Sequence, residues 1–285
     1  LKFNSVNKET PFSKNKPKNA MRLSGLAVLG WVAVILCTSS CELSELSDPI
    51  VVSDVEDEFK IIPWERLSPE GRTFEFRLET LAVQDCKSAS ISHQLNINGN
   101  QISLSIREID APKDCDPGTD PALGVANAGE LSPRFYELTI DLKNTVFNEG
   151  QLSVFGDRYV IDMESTEGFE IANRELRRVP EQTIWGYVTY PKNEDQGLAE
   201  DLLSDIDSIS QTRDFTSGHY GYFRINDNST NKVTIAGHPN TLNLKQFIYQ
   251  YEENLDDLAT LVEGYRNQYG EQLDIRLYTW TGEEL

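Results

Sequence analysis

The sequence predicts a two-domain β plus α/β protein: an immunoglobulin-like antiparallel β-sandwich over residues 59–180, followed by a ferredoxin-like βαββαβ domain over residues 181–285. Three observations point there. Residues 70–175 alternate apolar and polar positions in short runs divided by turn residues, with no amphipathic helix between them. After Pro180 the pattern changes to strands interleaved with two helical periodicities. A chain of 285 residues with 39% apolar content is long enough for two domains.

The strands of the first domain are read from period 2. Phe74, Phe76 and Leu78 share one face. Ile91, His93, Leu95 and Ile97 do the same, followed by the turn Asn98-Gly99-Asn100 and then Ile102, Leu104 and Ile106. Asn-Gly supplies the positive φ angles of a tight hairpin, so this is the sharpest local signal in the chain. Phe135–Leu142, Gln151–Phe155 and Arg158–Met163 continue the series, with Gly156-Asp157 as a turn.

In the second domain a strand over Thr183–Tyr190 leads to a helix bearing Leu198, Leu202, Ile206 and Ile209. Strands over His219–Asn226 and Asn231–Ala236 follow. A long helix is expected from Leu244 to Tyr269, capped by Asn243 with Gln246 three residues on and ended by Gly270, before a last strand over Leu273–Trp280. That order is the split βαβ arrangement, in which two helices cover one sheet face.

Strand parity then says what each face carries. Ile184, Val188, Phe223, Ile225, Val233, Ile235, Ile275 and Leu277 should meet the helices. The other face holds Trp185, Tyr187, Tyr220, Tyr222, Arg224, Lys232, Arg276, Tyr278 and Trp280. Six aromatics and three bases are not the composition of a solvated surface. Either this face packs between the domains, or it is a platform for sugar rings or a partner's side chains.

Ahead of both domains the charge is uneven. The chain carries −20 overall, yet residues 1–41 hold six bases and one acid, leaving 20 bases and 45 acids beyond them, a charge of −25. So acidic a protein is unsuited to coating nucleic acid or an anionic bilayer. Leu23–Cys37 is a run of fifteen apolar or small residues, about 22 Å as a helix, too short to span a bilayer and right for a signal-peptide core. Thr38-Ser39-Ser40-Cys41 follows and resembles the lipobox of bacterial lipoproteins, with Thr38 where such signals more often carry Leu.

The resemblance covers Met21 to Cys41. It implies a diacylglyceryl group on Cys41, cleavage just before it, a start at Met21 with residues 1–20 upstream, and attachment to the cell envelope, with the outer membrane favoured. Cys37 is a poorer acceptor because bulky Val34, Ile35 and Leu36 precede it. Glu42–Glu58, acidic and Ser-rich, reads as a tether. The domain plan is therefore an export segment over residues 1–40, a tether over 41–58, and the two folded domains.

Export leaves Cys86 and Cys115 as an even pair in an oxidising compartment, a disulfide closing about 28 residues and contributing roughly 3 kcal/mol. No metal, cofactor or catalytic residue is assigned. The acidic loop Glu108–Asp120 lacks calcium-loop spacing, and His93, His219 and His238 form no recognisable triad or zinc motif. The function expected is non-enzymatic binding or assembly at the envelope, with an envelope protein or a glycan as partner. The alternative is a glycan-binding accessory or a hydrolase acting on polysaccharide.

Overall fold

A computed structural model describes residues 55–211, 213–226 and 233–285, which belong to one compact unit. It corrects the fold class. In place of a two-sheet sandwich and a ferredoxin-like domain, the chain builds a single ten-stranded, curled, half-barrel sheet and two small three-stranded sheets, with two α-helices.

The large sheet comprises β1 (Phe59–Ser68), β2 (Gly71–Gln84), β3 (Ser90–Asn98), β4 (Gln101–Asp110), β5 (Asp120–Gly129), β6 (Arg134–Leu142), β7 (Val146–Val154), β8 (Arg158–Met163), β9 (Phe169–Ile171) and β10 (Glu175–Arg177). Its order is β10-β8-β7-β6-β4-β3-β5-β2-β1-β9. Most neighbours are antiparallel, but β4 runs parallel to β6, β3 parallel to β5 and β1 parallel to β9. Alternation locates β2, β3, β4, β6, β7 and β8 but not β1, β5, β9 or β10, and it does not encode closure. An inward-facing row is equally well buried by a second sheet or by the far side of its own sheet once that sheet curls. Register shifts in β2 against β5, and between Ile91 and His93 in β3, provide bends of the kind that curl a sheet. One continuous core results, with Phe59, Phe74, Leu104, Ile140 and Phe169 all fully buried.

The remaining elements are β11 (Thr183–Thr189), α1 (Gln196–Ser208), β12 (Gly218–His219), β13 (Phe223–Ile225), β14 (Val233–Ile235), β15 (Leu244–Gln250), α2 (Leu255–Tyr269) and β16 (Asp274–Thr279). The expected long helix is thus half strand. Residues 244–250 pair antiparallel with β11 in the order β15-β11-β16, and the helix begins only at Asn254, whose side chain accepts from the Asp256 N–H at 3.1 Å. The consecutive Phe247, Ile248 and Tyr249 favour a strand with apolar contacts on both faces, Phe247 and Tyr249 toward the helices and Ile248 toward the third cluster described below, and the residues that mimic a helical stripe there do so by coincidence of spacing.

Nor does the second sheet gain four strands. β12, β13 and β14 pair only with one another, because Gly221 at φ +79° breaks the stretch read as one strand into a hairpin, its Cα face against the Trp64 ring. Ile184, Val188, Ile275 and Leu277 do meet Leu202 and Ile206 of α1 and Leu258 and Val262 of α2. Phe223, Ile225, Val233 and Ile235 do not: they form a third cluster with Trp185, Tyr187, Leu67 and Val179, which joins the curled sheet to the C-terminal elements.

Strand direction gives the curled sheet two rims. The near rim holds the entry at Phe59, the Cys86–Cys115 region and the turn between β6 and β7. The far rim holds the turns β1–β2, β3–β4 and β7–β8, and the exit at Arg177. The C-terminal elements continue from the far rim.

Candidate functional site

Of the residues singled out in the sequence, Cys41 and Lys232 lie outside the described residues. Cys86 and Cys115 form a disulfide, their Cα atoms 5.6 Å apart. No helix among the described residues is long and apolar enough to cross a membrane.

The aromatic face is largely covered. Trp185 is 2% exposed, Tyr220 3% and Tyr187 8%. Trp185 packs on Phe223 at 5.2 Å, Tyr222 at 5.5 Å and Tyr278 at 6.2 Å between ring centroids. Tyr222 reaches the curled sheet: its hydroxyl accepts from the Leu67 N–H at 3.0 Å and its ring meets Trp64 at 4.8 Å. Tyr278 and Trp280 are half-buried at the margin. The bases do not join them. Arg224 is exposed and donates to Asn173 Oδ1 at 2.8 Å, while Arg276 pairs with Glu284 at 2.7 Å. The covering layer is the small β12–β14 sheet and β1, so no open aromatic platform remains among the described residues.

The open site lies at the far rim. A cleft of about 750 Å³ is walled by the β1–β2 and β7–β8 turns, the segment Arg177–Gln182 and residues 213–220. Its foundation is Glu65, which is fully buried at an inward position of β1. The Glu65 carboxylate accepts from Arg178 Nε at 2.9 Å, the Val179 N–H at 3.1 Å and the Tyr159 hydroxyl at 3.2 Å, and lies 3.6 Å from Arg72. Arg72 also donates to the Val179 carbonyl. Burial, and then the neighbouring Glu65 charge, push the Tyr159 hydroxyl well above the usual phenol range, so it stays a donor.

No protein-family model, curated protein or solved structure matches this chain. Its chemistry is therefore read from the cleft itself. Arg72, Arg177, Arg178 and Arg213 bring donors, while Glu130, Asp157, Glu181 and Asp214 bring acceptors. Arg177 is held by Asp157 at 3.6 Å and Glu175 at 3.1 Å, and Arg213 lies over the Phe215 ring at 5.7 Å. Gln182, a non-glycine residue at φ +60°, lines the same wall, and local strain of that kind gathers at binding sites.

Sequence reasoning missed this site. One signal was present: Phe59, Ile61, Pro63, Glu65 and Leu67 occupy one parity of β1, which places an acid in an apolar row, and a carboxylate there requires buried partners such as the adjacent pair Arg177-Arg178. The acidic stretch Glu108–Asp120 runs from the end of β4 through the connection over residues 111–119 to the first residue of β5, and no group of three or more metal-donor side chains forms among the described residues. His93 is tied to the backbone, Nδ1 to the Ile91 carbonyl at 2.8 Å and Nε2 to the Val125 carbonyl at 3.0 Å.

Proposed function

We propose that the chain is an exported lipoprotein, acylated on Cys41 and held at the outer membrane, that works by binding a partner through its far-rim cleft. The run Leu23–Cys37 followed by Thr38-Ser39-Ser40-Cys41 supports the anchor, and the Cys86–Cys115 disulfide suits an oxidising compartment. The observation that carries the reading is polarity. The chain enters the curled sheet at the near rim, at Phe59, whereas the cleft opens at the far rim. A ten-residue strand spans about 33 Å, so an anchored molecule presents the cleft away from the lipid.

Metabolic labelling with a fatty-acid analogue in a bacterial host tests the anchor. The wild-type chain is expected to carry label and sediment with membranes, and Cys41→Ser is expected to do neither. Label retained by Cys41→Ser would overturn the assignment.

A further inference from the structure

We propose that the far-rim cleft is a binding site for an uncharged saccharide; this deepens, and rests on, the binding role proposed above. The argument is one of matching. A sugar hydroxyl both donates and accepts, so it is best met by guanidinium and carboxylate groups set side by side, and the cleft offers four of each. Its volume, about 750 Å³, lies in the range of small-molecule sites.

An anion fits less well. Arg72 and Arg178 already share the buried charge of Glu65, and Arg177 is engaged by Asp157 and Glu175. Glu130, Glu181 and Asp214 are exposed and form no salt bridge among the described residues, although Glu130 lies within the field of Arg178, so a carboxylate or phosphate entering the cleft would face three exposed acids. A cation would instead meet the fixed guanidiniums of Arg72 and Arg178. Half-buried Phe215 supplies apolar surface for the C–H face of a sugar ring. Glu65 holds Arg178 by a hydrogen bond and Arg72 by an ion pair before a ligand arrives, which lowers the ordering cost of binding.

The test uses the chain from Glu42 onward, which contains every core described above. Retardation in native gels is measured with three uncharged polysaccharides, laminarin, amylopectin and mannan, and with polygalacturonate as the charged comparison. Two variants probe the cleft. Arg213→Ala removes an exposed donor. Gly156→Tyr places a ring at the mouth, where an added Cβ meets no atom within 4 Å.

Saturable retardation is expected with at least one uncharged polysaccharide, with the dissociation constant raised at least about tenfold in both variants and the melting temperature unchanged. Should Gly156→Tyr melt early, Arg213→Ala alone decides. Binding to polygalacturonate alone, equal binding by wild type and variants, or no binding to any of the four would overturn the proposal. None of these outcomes bears on acylation, which the labelling of Cys41 decides separately.

Discussion

Glu65 and Arg178 meet at 2.9 Å at the far rim of the curled sheet, although 113 residues separate them. One comes from β1, near one margin of the sheet, and the other from just past β10 at the opposite margin. With Tyr159 of β8 also bound to the same carboxylate, a single side chain ties the two margins together. Glu65→Ala is expected to destabilise the protein by about 3–5 kcal/mol, because it leaves Arg72 and Arg178 without their buried counter-charge. Urea unfolding measures this, and a loss below about 1 kcal/mol would show that water takes over the role of Glu65.

Trp185 is nearly fully buried at the joint between the curled sheet and the C-terminal elements. Trp185→Ala is expected to cost about 3–5 kcal/mol in the same assay. Little loss of stability, combined with loss of ligand binding, would instead restore an open platform at this face.

The Cys86–Cys115 disulfide closes the link between β2 and β5 on the near rim. Reduction, or Cys86→Ala with Cys115→Ala, is expected to lower stability by roughly 3 kcal/mol while leaving the far-rim cleft competent. Parallel urea titrations with and without reductant report the first effect, and gel retardation the second.

His219 predicts a pH dependence. Burial, and then the nearby Arg224 charge, lower its pKa from the ordinary value of 6.5. The unfolded chain therefore takes up the proton first, so stability present above about pH 6.5 declines as the pH falls toward the folded-state value. In His219→Gln, stability measured from about pH 7 down to pH 5 should fall less steeply than in the wild type. An identical slope would show that His219 is not the group responsible.

The parts legible in the sequence are those that follow from neighbours in the chain. Alternation locates most of the strands, Asn98-Gly99-Asn100 marks its hairpin, and parity assigns Ile184, Val188, Ile275 and Leu277 to the helices. The misreading at Leu244–Gln250 came from the same source. Leu244, Phe247, Ile248 and Tyr251 satisfy a helical spacing and a strand with apolar contacts on both faces equally well, and only pairing with β11 separates the two.

By itself the sequence determined the acidic charge of −25 beyond Cys41, the lipobox-like segment, the even cysteine pair and the inward face of many strands. Only the tertiary structure decided that the inward faces close on one curled sheet, that a small sheet covers Trp185 and Tyr187, and that Glu65 organises an arginine-lined cleft at the far rim. The reason is physical. Local patterns record which side of an element avoids water, whereas the partner that covers it is chosen by packing among segments distant in the chain.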